Sequence, residues 1–160
     1  MAPSVSEVES AMKATLKTHL DDMLRVYKDK STTNVSRMLT PDATFTLAPA
    51  TLLKTMGAPP TFSMTNAERE AHFTQQFPAL ANGDMELLET VVDAPGRKAV
   101  AHFRGTVTLV NDASFTLENV FIVHFTDDGT KINKTVEFAD AATTLQFIGA
   151  VREIAASKGP

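Results

Sequence analysis

Four polar side chains stand where proton chemistry would need them: Glu137, Asn119, His102 and Arg104, each within a mostly apolar run. A carboxylate on a dry wall acts as a general acid or base, because desolvation raises its pKa towards neutrality. The clearest pattern is the alternate set Phe115, Leu117, Asn119, Phe121, Val123 and Phe125, which gives a strand one face of large apolar groups broken by an amide. A lone polar group in a buried row needs a hydrogen-bond partner. Asp127-Asp128-Gly129 then reads as a three-residue hairpin loop, with Gly where a positive φ is wanted.

Pairing Thr126 with Thr130 across that loop sets Asn119 opposite Glu137 on one face. The second strand's own pattern argues otherwise. Ile132, Val136 and Phe138 look like its buried set, which would send Asn133, Thr135 and Glu137 to solvent. The turn is an independent signal, so Glu137 is expected on the Asn119 face; its rival state is a solvated carboxylate or a pair with Lys134. Asn119 either orients Glu137 or hydrogen-bonds a neighbouring loop.

His102 and Arg104 share a face of Ala99–Arg104, but both faces of that strand are mostly apolar and alternation does not orient them. His102 is either the complementary acid or base or a satisfied structural histidine. Arg104 either binds an acid or enolate or makes a surface pair. Phe45, Phe73, Phe77, Phe121, Phe125 and Tyr27 either wall a pocket or fill the core.

The elements that must carry these residues follow from capping and periodicity. Ser4-Val-Ser-Glu7 is a capping box, and Val8, Met12, Leu16, Leu20, Met23 and Tyr27 behind it predict one amphipathic helix over about 5–28. Asn34 caps a short expected helix through Leu39, stopped by Pro41. Ala43–Leu47 alternates as a short strand. Ala48–Met64 shows no period, and its Pro and Gly residues mark a long loop; Leu52, Leu53, Met56 and Phe62 suit a lid over a cavity mouth. Thr65-Asn-Ala-Glu68 is a second capping box, starting a helix with Phe73 and Phe77 that Pro78 ends or kinks. Strands near 85–92, 98–109, 115–125 and 131–139 form an antiparallel meander, and Asp140 caps a closing helix with Leu145, Ile148, Val151 and Ile154.

Composition bounds the function. The 160 residues fit one domain over residues 1–160, with 43% hydrophobic content and a net charge of −4. No basic stripe is present, so a nucleic-acid partner is not expected. Cysteine is absent, removing thiolate nucleophiles and thiolate metal ligands. No two histidines stand at i, i+3 or i, i+4, so no bound metal is expected. The first residues show no secretory signal and no apolar run reaches membrane-spanning length, so the expectation is a soluble, cytoplasmic protein that does not enter membranes.

This order of elements predicts an α+β cone-shaped barrel: a curved antiparallel sheet wrapped around N-terminal helices, with a C-terminal helix and a pocket between the layers. Four segments carry a resemblance: Thr46-Leu-Ala-Pro-Ala-Thr-Leu52, similar to "LPASL"; Asn66; Glu118-Asn-Val-Phe-Ile-Val-His-Phe125, similar to "EYVFVLHF"; and Val136-Glu-Phe-Ala-Asp140, similar to "EEFVD". The chain resembles the SnoaL-like family of the nuclear transport factor 2-like superfamily, and most of all the small isomerases and cyclases of fungal polyketide and meroterpenoid pathways.

That resemblance implies a homodimer with a cavity in each cone, acting on a bulky hydrophobic metabolite without metal or organic cofactor, with Glu137 pointing into the cavity. The expected reaction is isomerisation, cyclisation, dehydration or epoxide opening, with Glu137, Asn119 and His102 catalytic and Arg104, Phe45, Phe121, Tyr27 and Phe73 holding substrate. The dimer is expected through the face of Val120 and Ile122, where His124 also falls. Three positions depart from the family pattern: Asn119 stands for a Tyr, Phe45 near a His and Leu39 for an Arg. No relative's particular reaction therefore carries over, and a non-catalytic dimeric binding module of the same fold is the alternative.

Overall fold

A computed structural model describes residues 3–157. Helix α1 (Val5–Asp29) starts at Ser4, whose hydroxyl accepts from the Glu7 N–H while Glu7 reaches back to the Ser4 N–H at 2.7 Å. Its apolar stripe of Val8, Met12, Leu16, Leu20, Met23 and Val26 is buried. Helix α3 (Asn66–Gln76) repeats the device with Thr65 and Glu68. Pro78 falls in a 3-10 turn at Phe77–Ala79, where α3 ends.

Five strands form one sheet: β1 (Leu39–Ala48), β2 (Leu80–Asp93), β3 (Lys98–Leu109), β4 (Ser114–Phe125) and β5 (Ile132–Phe138), in the order β1-β5-β4-β3-β2. The antiparallel meander holds for β2 to β5, but β1 pairs parallel with β5, so the sheet is mixed rather than wholly antiparallel. Strand direction is set by a partner far along the chain, and local periodicity does not report it. No helix forms at 34–39; turns lead into β1, whose edge position tolerates Pro41 beside a register irregularity. The long loop holds a short helix, α2 (Ala50–Thr55), six residues being too few to show a period.

Odd-numbered residues of β3 and β4 face inward, where α1 and α3 close over them, and helix α4 (Ala141–Ser157) seals one end with Phe147 and Ile154. Asp140 caps α4 as expected, accepting from the Thr143 N–H at 3.1 Å. The β4–β5 loop docks on α1: the Thr15 hydroxyl donates to the Gly129 carbonyl at 2.9 Å, and Gly129 sits at φ 74°. A Cβ there would lie 2.8 Å from Met12 Cγ, so both the backbone and the packing require glycine.

Candidate active site

Between the helices and the inner sheet face lies a cavity of about 290 Å³. Its walls are mostly apolar side chains, among them Phe45, Phe73, Phe103, Phe121, Tyr27 and four of the seven methionines, Met23, Met56, Met64 and Met85. The rings lock one another edge to face: Phe103 and Phe121 stand 4.6 Å apart, Phe45 and Phe121 6.4 Å, and Tyr27 and Phe73 5.8 Å. Gly83 makes room for Tyr27, since a Cβ there would lie 2.5 Å from the Tyr27 Cβ. The segment Ala48–Met64 contributes Met56, Phe62 and Met64 to the lining, and Met64 pairs its backbone with Phe45.

Glu137 opens onto this cavity from β5, between Leu47 on β1 and Phe121 on β4. Its pairing differs from the expected register. The Thr126 N–H bonds to the Lys131 carbonyl, which makes the loop one residue longer, and a bulge near His124–Phe125 adds a second residue. The ladder therefore slides by two, and Glu137 lies opposite Phe121 rather than Asn119. A slip of two preserves the face. Asn119, 7% exposed, still donates to Glu137 Oε1 at 2.6 Å. Asn119 Oδ1 accepts from the Asp140 N–H at 2.9 Å, which fixes which end of the amide faces the carboxylate.

Burial raises the Glu137 carboxyl above the ordinary glutamate range, against the opposing pull of the Arg69 charge and the Asn119 hydrogen bond. Burial, with the Glu137 charge second, likewise raises the Tyr27 hydroxyl, and Arg69 opposes it.

Two candidates do not reach the cavity. His102 and Arg104 lie on the outer sheet face, because the inward set of β3 is Ala99, Ala101, Phe103 and Val107. There His102 Nε2 pairs with Glu118 Oε1 at 2.7 Å, and Arg104 donates to the other Glu118 oxygen at 3.2 Å and forms an ion pair with Glu86 at 3.5 Å. His102 as the complementary acid or base and Arg104 as a substrate ligand are both corrected by this geometry.

The residue the sequence reading missed is Arg69, 3% exposed on α3 and part of the cavity wall. Its guanidinium lies 4.2 Å from the Phe45 ring centre and 5.6 Å from that of Phe73. The signal was present: Arg69, Phe73 and Phe77 repeat every four residues, so the charge shares the helix's apolar face. His72, Gln76, Asp84 and Thr144 complete the polar lining, with His72 bonded to Gln76 at 2.9 Å. Among the described residues no three His, Asp or Glu side chains gather as metal ligands, and no helix is long and apolar enough to cross a membrane.

The α+β cone is similar in fold to proteins described as NTF2-like and as a putative SnoaL-like polyketide cyclase. The pinacolase BvnE from Penicillium brevicompactum superposes with a TM-score of 0.76 at 17% identity, covering 93% of this chain and 96% of that one. AusH from Aspergillus nidulans matches with a TM-score of 0.64 at 24% identity, over 80% of this chain and 84% of the other. An NTF2-like protein of unknown function from Burkholderia pseudomallei gives 0.66 at 18% identity, over 85% and 95%. No sequence-family profile matches the chain, and no curated protein matches it in sequence.

Proposed function

We propose that the chain is a cofactor-independent isomerase or cyclase of fungal secondary metabolism, moving protons on a polyketide- or terpenoid-derived intermediate. The observation that carries this reading is the Glu137 carboxyl, raised in pKa and held by Asn119 on the wall of an apolar cavity. Asn119 occupies Oε1, leaving Oε2 for the substrate. The ionised carboxylate takes a proton from a carbon or hydroxyl, and the resulting acid returns it to a second position of the same molecule. No net proton is consumed, which is the balance an isomerisation or cyclisation requires. A raised pKa serves both halves, since the group is then a better base and still gives its proton back near neutrality. The fungal pinacolase and AusH support the reading by sharing the fold over most of this chain.

Native mass spectrometry of ligand retained by the purified protein identifies the candidate substrate. Incubating that ligand in D2O then tests catalysis: the parent chain labels and converts it, and Glu137→Gln does neither. A ligand that is bound but neither labelled nor converted by the parent chain establishes the binding module instead.

A further inference from the structure

Arg69 is a buried cation with very little to hold it. Its Nη2 donates to the Met23 sulfur at 3.3 Å, a weak acceptor, and none of the ion pairs within 4.0 Å among the described residues includes it. Among the described residues its remaining nitrogens find no hydrogen-bond partner, yet they are not among the sealed, partnerless atoms of the interior. The open space Arg69 borders is the cavity, so those donors look into it. The faces of Phe45 and Phe73 offset part of the desolvation of the cation. A guanidinium in such a place is completed by an oxyanion able to take two parallel N–H bonds. Glu137 lines the same cavity but lies beyond ion-pair distance, and burial biases it towards its neutral form. Asp84, the other carboxylate of the lining, is paired with Lys28 at 3.4 Å, so Arg69 has no carboxylate partner among the described residues.

We propose that Arg69 is the anion-binding end of the cavity, and that the ligand is a hydrophobic organic acid bearing one delocalised oxyanion, a carboxylate or the enolate of a 1,3-dicarbonyl. This deepens the acid–base reading above and rests on the same cavity being the ligand site. The oxyanion lies on Arg69 and the carbon skeleton on Phe103, Phe121 and Met85. Arg69 remains charged at neutral pH, its pKa lowered by burial only to about 10.

Calorimetric titration with 2-naphthoic acid and with its neutral isostere 2-naphthamide at pH 7 tests the subsite. The intact chain is expected to bind the acid about 10- to 100-fold more tightly, the worth of a charge-assisted pair. Arg69→Met keeps the length and apolar character of the side chain; it should erase the preference while retaining the amide affinity. Arg69→Gln, read the same way, serves where Arg69→Met does not fold. Titration with a cyclic 1,3-diketone and its O-methyl ether separates the enolate from the carboxylate. Equal affinity of the intact chain for both members of both pairs, no binding of any of them to millimolar concentration, or a preference that survives in both variants overturns the proposal. Glu137→Gln should keep the acid preference, since Arg69 is left in place. Loss of turnover in Glu137→Gln and loss of acid preference in Arg69→Met are therefore separate results, and either reading can fail alone.

Discussion

Glu137 lies directly opposite Phe121 across the β4–β5 ladder, yet its carboxylate takes its hydrogen bond from Asn119, two residues along the same face. A strand repeats its side-chain direction every two residues, so Asn119 and Phe121 stand side by side behind the carboxylate. Phe121 supplies the desolvation and Asn119 the orientation. The Asp140 N–H in turn anchors Asn119, and Asp140 caps α4, so the position of the carboxylate is tied to the closing helix.

Replacing Glu137 by Gln is expected to stabilise the fold at neutral pH as well as to stop turnover. The folded-state pKa of Glu137 is raised above the ordinary 4.5, chiefly by burial. Between the two values the folded state holds more protons than the unfolded, so stability falls as pH rises through that window. Glu137→Gln removes this loss. Its advantage over the parent in urea unfolding should be present at pH 7 and fade below the ordinary glutamate pKa, while activity drops ~10²–10⁴-fold. An advantage independent of pH would place the Glu137 carboxylate in water.

Asn119 supplies two separable services, and two substitutions divide them. Asn119→Asp keeps an acceptor for the Asp140 N–H but sets an anion against Glu137, raising the Glu137 pKa further. The acid limb of the pH–rate profile should move to higher pH. Asn119→Leu strands the Asp140 N–H and should cost ~1–3 kcal/mol in urea unfolding. Identical pH profiles for Asn119→Asp and the parent would remove Asn119 from the chemistry.

What the sequence made legible was local. Ser4 with Glu7, Thr65 with Glu68 and Asp140 each act within a few residues and stand in the structure as read; Gly129 keeps its expected positive φ in a loop one residue longer than read. The inward row from Phe115 to Phe125 was equally open, because burial on one face writes a period of two. Glu137 reached the right face through a register wrong by two, a shift that parity forgives. Non-local features stayed hidden: the parallel β1–β5 pairing, and the direction of His102 on a strand apolar on both sides. Arg69 escaped because charge on a helix ordinarily marks the solvent side, whereas here two phenyl faces and a cavity replace the solvent.

The outer sheet face should bury itself against a second copy of the chain. Val91, Val100, Ile122 and Val136 are paired directly across four strands, and Phe138 pairs with Val120 beside them. Val91 is 57% exposed, Val100 36% and Phe138 52%, a continuous apolar stripe on a face left open to solvent. Glu118 and Glu86 stand beside His102 and Arg104 on that face, so a twofold axis can bring opposite charges together. Sedimentation at micromolar concentration should show a dimer, and Ile122→Glu a folded monomer. A parent chain that sediments as a monomer would leave the stripe without this partner.

His19 should govern how the fold responds to acid. Its ring is fully buried on α1 and, among the described residues, neither nitrogen has a hydrogen-bond partner. Burial, with the Arg69 charge second, pushes its pKa down from 6.5 to about 3. The unfolded chain takes up a proton near the upper value and the folded chain only near the lower. Between them the unfolded state binds one proton more, so this site withdraws stability as pH falls, by about 1.4 kcal/mol per pH unit. Carboxylates that weaken the fold in acid act equally in a variant and cancel in the difference. His19→Leu should therefore be more stable than the parent at pH 7, since no polar atom is left stranded, and its lead should widen as the pH is lowered from 6.5 towards 4. Urea midpoints at unit pH intervals measure the slope. A lead that stays flat would mean that His19 takes up its proton in the folded state as readily as in the unfolded one, by way of a partner such as a buried water.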